Sequence, residues 1–554
     1  MEQSKQTPFT LSGMCLASSA KYKEKTAFSM LRDNRICGKI TYTMMGKLSL
    51  QIGSLLNQIN VKSGDRVLIY CENCPEWPLA YFGISFAGAV SVPVLTGFSA
   101  EQIKNIAAHC GISAAIVSRA LAEKFLQNDL SDIPAVIIDS MSEDKDSNLE
   151  ISISLNGYEK RVCIPPVNEH STCLCDDPDA LATIIYTSGT QGNSKGVMLS
   201  GRNLISSALS SLFFIKLLPS DRLLSALPLS HSYECSLGLI APLICGSSIT
   251  YLDRPPSPSV LLPAFKILRP TVITTVPLLI EKIYSNAIAP KLQASRLYKL
   301  KVTRPLARWI AGRKLLSALG GKMRFFGIGG APLSEEVEKF LNSIRFPYAH
   351  GYGLTEAAPL VAGNKLFKNT FRSVGSAPAG VKIRIGECES LFADGGYDPG
   401  EGEIQVTGPN VMMGYYNDEK LTAEAFTCDG WLRTGDLGWF DKKGKLHIRG
   451  RLKALILGPS GENIYPEEIE NLLSASHLVE ESLVYSGKKG EIVALVILSE
   501  AAKSAAGAVE HALEELRAFV NNKLAAFSRI NKIIIKNDPF EKTPTMKIKR
   551  YLYV

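Results

Sequence analysis

Strand-like apolar runs alternate with helical stretches through the early part of the chain: RVLIY from Arg66, PEWPLAYFGISFAGAV from Pro75, AEQIKNIAAHC from Ala100, then AAIVS from Ala114. This is βαβ grammar, and it predicts a layered α/β architecture. The polar stretch from Ser140 to Asp179 carries EDKD, NGYEK and DDPD and reads as an excursion or linker. From Glu403 the texture changes to short strands with turns, ending near Arg449, Gly450 and Arg451. Beyond it, EEIENLLSASH, EIVALVILS, AVEHALEELRAFVNNKLA and INKIIIK give an α+β pattern long enough for a small separate domain. A boundary near Lys453 therefore divides the chain into a large domain over 1–452 and a small one over 453–554.

One segment has the length of a membrane span. Leu223 to Leu252 holds only His231 and Glu234 as groups likely to carry charge, but Pro228, Gly238, Pro242 and Gly246 interrupt it, and a glutamate at mid-depth is costly in hydrocarbon. A buried strand, turn and helix is the expectation.

Composition narrows the class. The chain has 554 residues, 46% of them hydrophobic, with 44 Gly and 29 Pro, which excludes disorder and collagen-like repeats. A formal net charge of +8 is too weak a bias to imply a nucleic-acid partner. Its distribution says more: Lys291 to Arg324 contains ten Lys or Arg and no Asp or Glu, and Arg517 to the end contains nine basic residues against two acidic. Either patch suits an acidic protein, and the first, with Trp309 and Leu315 among its arginines, also suits peripheral contact with anionic lipid at an inner membrane face. Twelve cysteines and no secretory leader at MEQSKQTPFT predict reduced thiols in the cytoplasm. Cys71 and Cys74 form a single CxxC, and His170, Cys173 and Cys175 lack a fourth ligand, so buried small apolar thiols are expected rather than zinc.

The segment richest in chemistry is ATIIYTSGTQGNSKGVMLS, where one apolar strand ends at Tyr186 and another begins at Val197. Between them lie Thr187, Ser188, Gly189, Thr190, Gln191, Gly192, Asn193, Ser194, Lys195 and Gly196. Glycines let backbone N–H groups turn inward, hydroxyls add donors, and one Lys supplies positive charge, which together suit a polyphosphate. A Walker A pattern does not fit, since a strand follows the loop, and Gly327, Gly329 and Gly330 do not make a dinucleotide fingerprint.

This loop resembles the signature of the adenylate-forming superfamily, which includes acyl-CoA synthetases, adenylation domains and firefly luciferase; Gln191 and Ser194 stand where Thr and Pro are usual. Further motifs follow in that family's order. FFGIGGAPL from Phe325 resembles the strand and turn laid against adenine, through Gly329, Gly330 and Ala331. HGYGLTEAAP from His350 resembles the next motif, which implies that Tyr352 beside Gly353 stacks on adenine, Thr355 contacts the α-phosphate and Glu356 helps to hold Mg2+ together with Thr187. WLRTGDLGWF supplies Asp436, in this family the acceptor for both ribose hydroxyls, and IRGRLK supplies Arg451 near ribose and phosphate, with Lys453 at the hinge position. KTPTMKIKR aligns the catalytic lysine on Lys547, with Met546 in place of the common Gly and with Lys542 and Lys549 as neighbouring alternatives.

The resemblance implies a mechanism that uses ATP and Mg2+. A substrate carboxylate attacks the α-phosphate, pyrophosphate leaves and an acyl-adenylate forms; the small domain then rotates about Lys453 so that a phosphopantetheine thiol displaces AMP. ILGPSGENIYPEEIE from Ile456 and LPLSHSYECSLGLIAPLICG from Leu227 resemble the long-chain fatty acid branch, with an apolar tunnel after Glu234 and His231 as its gate. The expected reaction is activation of a long-chain fatty acid and transfer to acyl carrier protein, with coenzyme A as the alternative acceptor. A partner acyltransferase, a luciferase-like oxygenase and an inactive binding module remain open at this level.

Overall fold

The computed structural model describes residues 8–127, 130–138, 151–155, 158–162, 177–188, 194–386, 400–457, 463–474, 476, 478–487, 491–499, 502, 509–542 and 548–553. Among these residues two large sheets dominate. The nine-stranded sheet runs from Gly414–Tyr415 through Ser194–Ser200, Leu181–Ser188, Val90–Pro93, Arg66–Tyr70, Ile112–Ser118 and Ala135–Ile138 to Ile151–Leu155 and Tyr158–Val162. Its middle strands are parallel and joined by helices, which cover both faces and explain why Val67 to Tyr70 are all buried. Helix Ala100–Cys110 begins at a capping box between Ser99 and Gln102 and stops at Gly111, whose φ of +60° lies in the left-handed region.

The eight-stranded sheet carries six parallel strands in the order Thr26–Arg32, Ser248–Leu252, Arg222–Leu224, Val272–Thr275, Phe325–Ile328 and Tyr348–Gly353, with an antiparallel strand at each edge. Helix Glu76–Phe86 is buried nearly all round, and its Trp77, Tyr81 and Phe82 share one core cluster with Leu223 of the second sheet and Leu239 and Leu243 of its connections. Asn73 ties the two layers together: its Nδ2 donates to the Leu227 carbonyl at 2.6 Å, and its Oδ1 accepts from the Leu229 N–H at 2.9 Å. The uncharged stretch predicted as strand, turn and helix is strand Arg222–Leu224, a π-helix over Glu234–Ile240, a short helix Ala241–Cys245 and strand Ser248–Leu252, and nearly all of it is core. Among the described residues no helix is long and apolar enough to cross a membrane.

A four-stranded antiparallel sheet over Lys382–Gly386, Glu401–Thr407, Leu432–Phe440 and Leu446–Arg451 forms the expected hairpin-rich region. After it, a three-stranded sheet packs helix Pro466–Ser474 around a cluster that includes Leu473, Val496, Leu516 and Val520, and this core draws on no residue before Ile456. One expectation needs correction. Part of the polar stretch before Asp179 is not a linker, because Ile151–Leu155 and Tyr158–Val162 extend the nine-stranded sheet antiparallel to Ala135–Ile138. The alternation in ISISL is a strand signal that the polar composition around it obscured.

Candidate active site

The phosphate-type loop joins two antiparallel strands. Strands Leu181–Ser188 and Ser194–Ser200 pair antiparallel with Lys195 opposite Thr187 and Ser194 opposite Ser188, so the ladder runs closer to the tip than the apolar pattern implied. Its base is pinned where the Tyr186 hydroxyl meets His109 Nδ1 at 2.6 Å. Gly189, Thr190, Gln191 and Gly192 lie outside the described residues, as does the side chain of Ser188.

Lys195 projects over the ring of Tyr415, with Nζ 5.3 Å from the centroid, and the Tyr415 hydroxyl donates to Glu356 Oε1 at 2.9 Å. The hairpin's cation and the carboxylate thus meet through one aromatic ring. Glu356 sits in a single 3-10 turn over Thr355–Ala357, held in place because its carbonyl accepts from the Met412 N–H at 2.8 Å and because Asn410 Nδ2 donates to the Ala357 carbonyl at 2.9 Å. The Ser232 hydroxyl reaches Thr355 Oγ1 at 3.4 Å, and Ser236 donates to the Ala358 carbonyl at 2.7 Å, which locks the His231 segment to the same turn. His231 Nδ1 accepts from the Tyr233 N–H at 3.2 Å, which leaves Nε2 to carry the proton when the ring is neutral.

On the other side, Tyr352 donates its hydroxyl to Asp436 Oδ2 at 2.6 Å, and Arg451 Nε lies 3.4 Å from Asp436 Oδ1. Asp436 and Arg451 face each other across the antiparallel pair Leu432–Phe440 and Leu446–Arg451. Burial and the adjacent Asp436 carboxylate push the Tyr352 phenol well above its usual range, so it stays a donor. Gly353 has a packing reason of its own, since a Cβ there would lie 2.2 Å from the Pro359 carbonyl oxygen. Gly330 has φ +85°, and the Ala331 carbonyl meets His350 Nε2 at 3.1 Å. A Cβ on Gly329 would press on the Tyr233 ring at 3.3 Å.

Residues 16–416 match the family described as AMP-binding enzyme, and residues 454–553 match the AMP-binding enzyme C-terminal domain. The chain belongs to the AMP-binding enzyme family. Long chain acyl-CoA synthetase 6, peroxisomal, of Arabidopsis thaliana is 30% identical over 92% of this chain and 79% of its own length. A chloroplastic long-chain-fatty-acid–[acyl-carrier-protein] ligase of the same plant is 27% identical, over 93% and 81%. The crystal structure of an ATP-bound RpMatB-BxBclM chimera is 25% identical and superposes with a TM-score of 0.74, covering 99% of this chain and 98% of the other.

Within this AMP-binding enzyme, the two large sheets and the four-stranded sheet each supply part of one cluster: Lys195 with Tyr415, Glu356 with Tyr352, and Asp436 with Arg451. Lys547 lies outside the described residues, as does the side chain of Lys453, whose backbone is part of a short 3-10 turn over Leu452–Ala454. The small domain meets the four-stranded sheet where Tyr465 donates to Glu401 Oε1 at 3.3 Å. Sequence reasoning missed Tyr415; its aromatic pair in MGYYN was the available signal. It also gave no role to Glu234, whose carboxylate accepts from Ser225 and Thr274, each at 2.6 Å, beneath Gly238.

Burial raises Glu234 from the ordinary carboxyl range to about 7, against the hydroxyl bonds that lower it. The unfolded chain releases this proton near the ordinary value, so the group's contribution to stability is complete below about pH 4.5 and is lost as pH climbs to about 7. The Glu234→Gln variant is therefore expected to match the parent near pH 4.5 and to exceed it by on the order of 3 kcal/mol above pH 7. Urea unfolding at both pH values measures this, and an equal effect at the two would refute the assignment.

Proposed function

We propose that this ligase activates long-chain fatty acids as acyl-adenylates and transfers them to the phosphopantetheine thiol of acyl carrier protein. The observation that carries the first half is the convergence of Lys195, Glu356 and the Tyr352–Asp436–Arg451 set on one cluster. Lys195 and the glycine-rich tip bind the triphosphate, Thr355 orients the α-phosphate, Asp436 accepts from the ribose hydroxyls, and Tyr352 with Gly329, Gly330 and Ala331 flanks the base. Attack of a carboxylate on a phosphate opposes two anions, so the groups that matter offset charge and align the reactants.

Glu356 and the Thr187 hydroxyl are hard oxygen donors of the kind Mg2+ takes alongside phosphates, and they fit it without a dedicated cage. When bound, the ion would neutralise phosphate charge. His231, fixed by the Tyr233 N–H, stands between this turn and the buried π-helix and gates entry of the acyl chain. Lys453 serves as the hinge between domains 1–452 and 453–554.

The fatty acid half is supported by the relatives' printed activities, one of which is ligation to acyl carrier protein. The basic excess after Arg517 suits an acidic carrier protein, although the phosphates of coenzyme A are anionic too, so the carrier reading leans on the carrier-protein ligase among the relatives. Coenzyme A is the second reading, favoured by the synthetase of 30% identity. The test supplies ATP, Mg2+ and palmitate with either holo-carrier protein or coenzyme A. Palmitate-dependent exchange of pyrophosphate into ATP is expected, followed by faster thioester formation on the carrier. Exchange with a wide preference for coenzyme A would reverse the acceptor; no exchange would remove the enzymatic reading altogether.

A further inference from the structure

The connection between strands Val272–Thr275 and Phe325–Ile328 is long, helical and strongly basic. It leaves the sheet beside Val276, whose side chain lies 3.8 Å from a Cβ built on Gly330, so one end of the excursion abuts the cluster. Of the ten Lys or Arg between Lys291 and Arg324, Arg324 is spent on the buried Asp221, at 2.5 Å. Trp309 and Leu315, which the sequence places together, part company in the fold: Leu315 is core and Trp309 is 59% exposed.

Around Trp309 the apolar exposure is concentrated. The turn between helices Arg296–Lys299 and Arg304–Ala318 presents Leu300 at 64% and Val302 at 92% exposure, and Leu306 on the next helical turn is 50% exposed. Leu306, Trp309 and Arg313 follow each other at spacings of three and four, which places them along one side of the helix, and Val302 lies in the turn just before it. The turn is built rather than loose: Thr303 Oγ1 donates to the Leu297 carbonyl at 2.6 Å, and Arg304 donates to the Tyr298 carbonyl at 2.9 Å. Lys299, Lys301, Arg304 and Arg313 ring this tip and are themselves exposed, and Arg313 lies over the Trp309 ring at 5.8 Å.

We propose that this tip docks on an anionic lipid surface, with Leu300, Val302, Leu306 and Trp309 entering the headgroup boundary and the surrounding cations meeting the lipid phosphates. Protruding aliphatic side chains and an exposed Trp within a ring of positive charge match a bilayer interface in both polarity and sign. An acidic protein meets the charge but would need a matched apolar pocket for a 92% exposed Val302, whereas a bilayer takes protruding apolar side chains without a matched shape. The inference goes beyond the proposed reaction and depends on neither its substrate nor its acceptor.

The experiment is flotation of the full chain with vesicles of phosphatidylcholine alone or with phosphatidylglycerol added to about a third, in low and high salt. The parent is expected to float with the anionic vesicles only, and less in high salt. The Lys299→Glu, Lys301→Glu, Arg313→Glu triple variant and the Val302→Asp, Trp309→Ala double variant are each expected to lose about tenfold in partitioning. Circular dichroism and melting of each variant verify its fold. Absence of the parent from anionic vesicles, equal flotation with both compositions, or folded variants that float as the parent does would each overturn the proposal. So would variants that float normally but no longer bind an acidic carrier protein, which would give the surface to that partner.

Discussion

Lys547→Ala is expected to slow adenylate formation by about a thousandfold or more while leaving thioester formation from preformed acyl-adenylate within a few-fold of the parent. The reason is differential binding: an ammonium placed at the α-phosphate is worth most when the entering carboxylate and departing pyrophosphate crowd negative charge there, and only an interaction stronger in that state raises the rate. The neighbouring lysines are poor substitutes for the role. Lys542 is ion-paired with Glu481, and Lys549 Nζ lies 3.4 Å from Glu541, so each is tied to a carboxylate of the small domain itself. Single-turnover measurements of the two half-reactions separate the outcomes. Equal damage to both would mean that Lys547 holds the domain together rather than assisting one step, and an unaffected first step would move the role elsewhere.

The second large effect is expected from Asp436→Ala. Its carboxylate takes the Tyr352 hydroxyl on one oxygen and faces Arg451 on the other while being buried itself, so truncation leaves a partly buried phenol without this acceptor and removes the nearest carboxylate of Arg451. If the same oxygens accept from the ribose, the KM for ATP rises by about 100-fold with a smaller change in kcat, together with a stability loss of about 1–2 kcal/mol. Tyr352→Phe separates the two contributions, because it removes only the internal bond and is expected to cost about 1 kcal/mol of stability with a much smaller change in KM. A normal KM in Asp436→Ala would show that the ribose binds elsewhere and that Asp436 only props the sheet.

Two proposals meet at the connection after Val276. A fatty acid partitions into bilayers, and an enzyme that drew it from there would gain from a surface that holds it on the lipid. The two remain separable, because flotation reads the tip alone and exchange reads the cluster alone.

Much of this molecule is legible in its sequence. Runs such as RVLIY became strands because the consecutive apolar side chains of Val67 to Ile69 cannot all face water, and the antiparallel pair around the glycine-rich segment follows from turn-forming residues between two apolar runs. The π-helix at Glu234 was not legible, since i+5 bonding differs from i+4 by a packing preference that no local pattern encodes. The placement of Tyr415 between Lys195 and Glu356 was equally hidden: strand Gly414–Tyr415 reaches the hairpin by pairing Val197 with Tyr415 and Met198 with Gly414, far along the chain. The chain's own order of residues determined which chemical groups exist and which short segments turn or extend, because those depend on backbone dihedrals and on solvation of neighbouring side chains. Which of them share a site was decided only when three separate sheets packed, because distances between remote segments are set by the burial of whole faces and not by any residue alone.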